Sequence, residues 1–348
     1  MQRIIARFSS LLALAAIGIF LSGSALAQYK LTNLVSNTSG KASHTDANLI
    51  NAWGIARGAS GPFWISDNGT GLSTLYDGSG TPQSLIVTIP SATGSGVGFP
   101  TGIVINGSAD FVVSENQLSG SAVFIFATLD GTISGWSPSV NLNNAIIGAN
   151  KSKDGAVYTG LAISSGTNGN FIYAANAGQN RVDVFNGSFK LIKTFTDASV
   201  PATFAPYGIQ DINGEVYVTF ASTGAVPGGV IDVFTEQGTF VKRFSSDSHL
   251  NQPWGLALAP KNFGPFSTAL LVSNNLPDGV VNAFNATTGK FLGTLSDSSG
   301  KALKIEQVWG LEFGGGTTAN GAVNQLFFSA GPANYTNGLF GVIDFVGK

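Results

Sequence analysis

Acidic and amide side chains recur where short apolar segments of this sequence end. Carboxylate and amide oxygens are the ligands that calcium prefers in proteins. The pattern therefore predicts a weak calcium site held by Asp67, Glu115, Asn176 and Asn274, and no other cofactor is expected. Asn and Asp at such positions also form turns by hydrogen bonding to the backbone, and this structural interpretation stays open.

Two histidines, His44 and His249, are the only ones in the chain. Imidazole titrates near neutral pH, so either histidine could act as a general base in a lyase or a lactonase, with Glu115 as a further catalytic candidate. Both histidines are expected at corresponding positions in loops, where solvated histidine is the plainer interpretation. The chain has no cysteine, which excludes disulfides, thiolate metal sites and a cysteine nucleophile.

Aromatic residues beside glycines form a second candidate group. Tryptophan faces stack on the apolar faces of sugars, and asparagine offers paired hydrogen-bond donors and acceptors. The alternative is that the tryptophans belong to the core of a structural repeat. The residues expected to bind a ligand are Trp53, Tyr207, Trp254, Trp309, Asn68 and Asn116.

One motif, an aromatic or small residue followed by glycine and alternating aliphatic residues, occurs six times, at Gly54, Gly102, Gly160, Gly208, Gly255 and Gly310. Each copy continues with two further apolar runs, and most copies end with a more polar fourth run. Such a period with four strands in each copy predicts an all-β, six-bladed β-propeller with four-stranded blades. We expect a single domain that covers residues 28–348.

The order of the runs gives each strand a place in its blade. The first strand lines the central channel, where glycine lets neighbouring blades approach closely. Residues 111–114 are predicted to form the second strand of the second blade. The last repeat ends after its third strand, so we expect Tyr29–Ser36 to supply its fourth strand and close the ring, which removes exposed sheet edges.

Propeller geometry places the candidate residues on one face, which we call the top face. It carries the connections into the first strands and those between the second and third strands. Concave ligand sites in propellers commonly lie around such a channel end. We predict a ligand- or protein-binding module that uses this face for a small molecule, a glycan or an extracellular protein. The alternative is a calcium-assisted hydrolase or lyase.

Several stretches resemble known propellers. Residues 177–185 resemble the turn and third strand of an NHL repeat, and residues 51–56, 67–71, 204–208 and 252–260 are similar to a bacterial family of secreted six-bladed propellers. That family has no established activity, and many members carry a PEP-CTERM sorting tail that is not expected here. The acids and asparagines also resemble those that hold the metal in gluconolactonase- and regucalcin-type propellers, which implies a lactonase for the alternative.

The first 27 residues have the pattern of a signal peptide. Arg3 and Arg7 precede an apolar run, and Ala25 and Ala27 form a small-x-small cleavage site. We expect removal of residues 1–27, a secreted or periplasmic protein, no later membrane span, and a monomer. The formal charge is −2 without a basic stripe, which gives nucleic-acid binding no electrostatic support.

Overall fold

The computed structural model describes residues 28–166, 169–224 and 226–347. The predicted signal peptide lies outside these residues. The described chain is all-β, with three single-turn 3-10 helices at Ser152–Asp154, Ala177–Gln179 and Gly264–Phe266. Among the described helices, none is long and apolar enough to cross a membrane.

Short alternating apolar runs, separated by turns rich in Gly, Asn and Asp, form 27 strands in the described residues. In chain order they are β1 (Tyr29–Ser36), β2 (His44–Thr45), β3 (Ala52–Arg57), β4 (Phe63–Asp67), β5 (Leu72–Tyr76), β6 (Val87–Thr88), β7 (Pro100–Ile105), β8 (Val112–Glu115), β9 (Leu118–Ser121), β10 (Phe124–Thr128), β11 (Thr132–Trp136), β12 (Ile146–Asn150), β13 (Tyr158–Gly166), β14 (Gly169–Asn176), β15 (Arg181–Asn186), β16 (Leu191–Phe195), β17 (Phe204–Ile212), β18 (Glu215–Ser222), β19 (Gly229–Thr235), β20 (Phe240–Ser245), β21 (Pro253–Leu258), β22 (Ala269–Asn274), β23 (Val281–Asn285), β24 (Phe291–Thr294), β25 (Val308–Phe313), β26 (Gln325–Ala330) and β27 (Leu339–Phe345).

Consecutive strands pair within each blade, as short connections favour. Four antiparallel sheets follow the predicted pattern without change: β3 to β6, β13 to β16, β17 to β20, and β21 to β24. In each of them the first strand lines the central channel, and the fourth strand is the outer edge. The second and last blades complete a six-bladed propeller, which confirms the predicted fold class.

The second blade departs from the prediction. Residues 111–114 do not form its second strand, and that assignment is wrong: β8 and β9 make a separate hairpin inserted between β7 and β10. The second strand is β10, because it pairs with β7 on one side and β11 on the other. Phe111 and Val113 pack into the core of this blade. Residues 111–114 therefore have the composition of a blade strand, although they lie outside the four-stranded sheet of the blade.

β1 closes the ring, as predicted. It pairs antiparallel with β27, from Tyr29 opposite Phe345 to Ser36 opposite Leu339. The last blade is therefore built from β25, β26, β27 and β1, and β2 adds a short fifth strand parallel to β1. The buried Tyr29 hydroxyl donates to the carbonyl oxygen of Phe263 at 2.8 Å, which ties the closing strand to the fifth blade.

The repeated glycine lets each first strand contact the next blade. At Gly255 a Cβ would overlap the carbonyl oxygen of Trp309. A hydroxyl completes this contact: Ser273 Oγ accepts from the Gly255 N–H at 2.7 Å and donates to Trp309 O at 2.6 Å. Ser329 makes the same connection from the last blade to the first, and Thr219 makes a similar one in which it donates to the carbonyl oxygen of Pro253. We call these contacts inter-blade bridges.

Candidate functional site

The predicted aromatic residues converge at the top end of the central channel. The rings of Trp53 and Trp309 stack with 3.8 Å between centroids, and Trp254 stands edge-on to Trp309 at 5.8 Å. Tyr207 packs 5.7 Å from the Trp309 ring. Trp53, Trp254 and Trp309 are 6, 9 and 2% exposed. These three residues form a closed cluster, the tryptophan plug, and not an open groove.

Hydrogen bonds hold Trp254 and Trp309 of the tryptophan plug in place, while Trp53 Nε1 is buried without a partner in the described chain. Trp254 Nε1 donates across the channel to Thr159 O at 2.9 Å, and Trp309 Nε1 donates to Asn51 Oδ1 at 3.0 Å. Asn51 Nδ2 donates in turn to Asn68 Oδ1 at 3.0 Å. The other end of the buried Asn68 amide donates to a backbone carbonyl of the second blade at 3.1 Å. Asn68 therefore holds the plug and has no free end to offer a ligand.

The residues predicted to bind calcium are not brought to one point. Asp67, Asn176 and Asn274 end the second strands of the first, third and fifth blades, so a whole blade separates each from the next. Asn176 Oδ1 accepts from the Val157 N–H at 3.1 Å, and Asn274 Nδ2 donates to His249 O at 2.7 Å. Both amides bind the backbone of the loop ahead of their blade's first strand, and only Asn176 also forms a local turn, where its Oδ1 accepts from the Gln179 N–H at 3.2 Å.

Glu115 and Asn116 lie on the connection at the far end of the first strand, away from the top face. Their predicted place beside Asp67 is wrong because it depended on the strand assignment of residues 111–114. Glu115 Oε2 accepts from Asn141 Nδ2 at 2.7 Å, and Asn116 occupies an exposed hairpin turn with a φ of 50°. Within the described residues, no three or more histidine, aspartate or glutamate side chains are grouped to hold a metal.

The two histidines occupy different places. The His249 ring stacks on Phe291 at 3.6 Å and its Nδ1 lies 2.6 Å from Asp247 Oδ1, while half of the side chain is exposed. His44 lies on β2, the outermost strand of the last blade. The prediction that His44 and His249 occupy corresponding positions is wrong. The residue of the first blade that corresponds to His249 is Asn48, because the backbone N–H of each donates to an aspartate two positions earlier.

The opposite end of the channel is open. Below the tryptophan plug the channel is a narrow lumen of about 30 Å³, lined by the first strands of all six blades. It widens at the bottom into two recesses of about 260 and 220 Å³. Gln210 and Glu312 line the lumen and both recesses. We call this region the channel mouth.

An ion pair lies in the channel mouth. Arg57 Nε is 3.5 Å from Glu312 Oε1. The three guanidinium nitrogens also donate to the carbonyl oxygens of Phe313, Gly58 and Gly314, at 2.6, 3.3 and 3.2 Å, so the backbone holds Arg57 in position. Burial raises the pKa of Glu312 to about 7, and Arg57 opposes the shift. This carboxyl therefore titrates near neutral pH.

Two polar side chains of the channel mouth, Gln210 and Glu312, have unused hydrogen-bonding capacity. Gln210 is exposed. Neither its amide nor the Glu312 carboxyl makes a hydrogen bond to any residue in the ranges 28–166, 169–224 and 226–347. Aliphatic residues of neighbouring first strands surround the two groups. A concave space with a few convergent polar groups is a usual feature of a small-molecule site.

Sequence reasoning missed Gln210 and Glu312. Each stands two residues after the glycine of its repeat, a position that is small or aliphatic in the other four blades. The signal was present in the alignment of the six repeats, as two polar residues at an otherwise apolar position. The other residues at this position are Ala56, Val104, Ala162 and Ala257.

Solved structures share the ring architecture. A glucose dehydrogenase superposes with a TM-score of 0.56 at 12% identity, over 92% of this chain and 99% of that chain. A gluconolactonase from Xanthomonas campestris gives 0.54 at 12%, over 85% and 86%. The virginiamycin B lyase from Staphylococcus aureus gives 0.52 at 11%, over 92% and 100%. At these identities the likeness shows the fold alone.

Sequence relatives come from a virus. No family model matches the chain. The uncharacterised protein R648 of Acanthamoeba polyphaga mimivirus is 31% identical over 336 residues, which cover 92% of this chain and 81% of the relative. The uncharacterised protein L690 of the same virus is 31% identical over 334 residues, covering 91% and 86%. Membership of the bacterial family and the NHL-type repeat stay predictions. The chain belongs to the family of these two mimivirus proteins.

Proposed function

We propose that this protein is a binding module that takes a small organic ligand in the channel mouth. The observation that carries the proposal is the contrast between the two ends of one channel. At the top, three tryptophans pack on one another. At the bottom, Gln210 and Glu312 face two recesses, with polar groups that accept or donate no hydrogen bond within the described chain.

The proposal keeps the binding function predicted from the sequence and moves it to the opposite face. A small molecule fits better than a glycan or a protein because the recesses are concave and of about 260 and 220 Å³, close to the lower limit of ~300 Å³ for typical ligand pockets. With the predicted signal peptide, the ligand would be met in the periplasm or outside the cell.

An acid–base enzyme is a second candidate, favoured by Glu312. A carboxyl with a pKa of about 7 can both donate and accept a proton near neutral pH. The calcium-assisted hydrolase or lyase needs other ligands than Asp67 and Glu115, which lie at opposite ends of the propeller. We place binding first because Gln210, the partner of Glu312 in the recesses, has no titratable proton.

Thermal unfolding with a library of small molecules tests the proposal. A ligand that binds the native state raises the melting temperature. Shifts seen with the wild type should disappear in Glu312→Gln and Gln210→Ala. The control variant Glu306→Gln changes an exposed glutamate ahead of β25, at the top end, and should keep them. Shifts that survive both mouth variants would place the binding site elsewhere.

A further inference from the structure

We propose that the channel mouth recognises a protonated amine attached to a short aliphatic body. The inference rests on the proposed function, because it names the ligand class of the same site. The charge of the lining, the unoccupied hydrogen-bond acceptors and the aliphatic side chains beside them each support it.

The charged side chains of the lining favour a cation. The lumen and the two recesses contain one basic residue, Arg57, and two acidic residues, Asp211 and Glu312. Arg57 lines one recess, and backbone carbonyls hold its guanidinium. Glu312 lines all three spaces, so a ligand in any of them meets the carboxyl. With both acids ionised the lining carries one negative charge more than positive charges, which favours a cation over an anion.

The unoccupied acceptors match the donors of an ammonium group. An ammonium carries three N–H donors and no acceptor. The Glu312 carboxylate and the Gln210 amide oxygen can accept two of them, and hydrogen bonds between ionised groups are about twice as strong as neutral ones. Asp211 Oδ2 is a further buried acceptor of the lining, without a hydrogen-bond partner in the described part of the chain.

The surroundings of these acceptors fit an aliphatic body. Ile105 and Leu258 end the first strands of the second and fifth blades, and they are 36 and 38% exposed. Ile163 and Phe313 continue the apolar wall. A ligand that covers these side chains removes apolar surface from water. Recesses of about 260 and 220 Å³ limit the body to a short chain or one small ring.

The same composition disfavours a metal ion. Calcium takes six to eight oxygen ligands, and magnesium requires a regular octahedron of them. The side-chain oxygens of the lining come from Glu312, Asp211, Gln210 and Asn213, and within the described residues no three acidic or histidine side chains are grouped to hold a metal ion. An organic cation needs fewer oxygen contacts and gains from the apolar wall.

The titration of Glu312 predicts the direction in which ligand affinity changes with pH. Its pKa is about 7 in the free protein, with Arg57 and Asp211 as the other charged groups of the lining. A bound ammonium favours the ionised carboxylate and lowers this pKa, so binding releases a proton below pH ~7. Affinity should rise by about tenfold between about pH 6 and about pH 8, as the ionised fraction rises.

Three probes of similar shape test the inference: hexylamine, hexan-1-ol and hexanoate. They are titrated onto the full chain by ligand-detected NMR at about pH 6 and about pH 8. We expect hexylamine to bind most tightly, with the pH dependence given above. Glu312→Gln should remove both the preference for the amine and the pH dependence, while Glu306→Gln keeps both. Gln210→Leu should weaken the amine several-fold and leave the pH dependence in place.

The outcomes separate this inference from the proposed function. Equal affinity for the amine and the alcohol, or tighter binding of hexanoate, overturns the amine inference and leaves binding in the mouth intact. Amine affinity that rises toward about pH 6 also overturns it. If none of the probes binds while the library yields other mouth ligands, the inference alone falls. If no ligand binds the mouth at all, both fall.

Discussion

At the scale of single residues, Asp67 has an unusual environment. Its carboxyl is fully buried on the same strand face as Phe63 and Ile65, which pack against the last blade. Neither oxygen has a hydrogen-bond partner within the described chain. Burial raises the pKa of Asp67 well above its usual value; Thr74 opposes the shift and the nearby Asp46 adds to it. Burial therefore favours the neutral form of the Asp67 carboxyl more than it would in an exposed aspartate.

Asp67→Asn should stabilise the protein. It puts at this position the amide that the third and fifth blades have there, Asn176 and Asn274, and it removes a buried ionisable group, whose cost to stability grows by up to about 1.4 kcal/mol per pH unit above about pH 4. Because the folded-state pKa is raised, wild-type stability falls as the pH increases from about 4 toward that pKa, and the variant lacks this slope. Urea unfolding between about pH 5 and about pH 9 measures the difference. If the difference in the free energy of unfolding between the variant and the wild type stays constant or narrows with rising pH, Asp67 does not have a raised pKa.

At the scale of secondary-structure elements, the inter-blade bridges hold neighbouring first strands together. Ser273→Ala removes the hydroxyl that joins Gly255 N–H to Trp309 O and leaves two buried backbone groups without that partner. We expect a loss of about 1 to 3 kcal/mol in the free energy of unfolding, measured by urea denaturation.

The matched control for this variant is Ser73→Ala. Ser73 Oγ is also buried, and no residue of the described chain pairs with it. Its removal should leave the free energy of unfolding unchanged or raise it, because no hydrogen bond is lost and a buried unpaired hydroxyl is removed. If the two variants lose the same stability, the bridge has no special role and the loss reflects side-chain volume alone.

At the scale of the whole molecule, ring closure depends on β1. A chain without residues 1–36 should lose at least about 3 to 6 kcal/mol from the burial of Leu34 and Val35 alone, and it leaves β27 as an exposed edge. A chain without residues 1–27 is the control and should unfold like the full chain. Calorimetry compares the two, and equal melting temperatures would show that β1 does not close the ring.

Much of this architecture could be predicted from the repeat. The glycines give the number of blades because only glycine fits beside the carbonyl of the next blade, as at Gly255. A missing fourth strand in the last repeat predicted the partner of β27. The inserted hairpin could not be predicted, because the run at residues 111–114 has the same alternation as a blade strand and only pairing tells them apart.

The candidate site was less accessible to sequence reasoning. The convergence of Trp53, Trp254 and Trp309 followed from their equal position in the repeat, but whether their rings face a ligand or each other depends on the width of the channel. That width is a property of the assembled ring. Glu312 stands out in the sequence only when it is compared with the equivalent positions of the other blades. Its raised pKa depends on burial, which no local sequence pattern reveals.

We propose that the protein takes its ligand at the bottom end of the channel and not at the tryptophan end. Crystals of the full chain soaked with a library of small fragments test this most directly. We predict fragment density between Gln210 and Glu312, with amines the most frequent class. Fragments gathered at the tryptophan plug, with the channel mouth empty, would contradict the account.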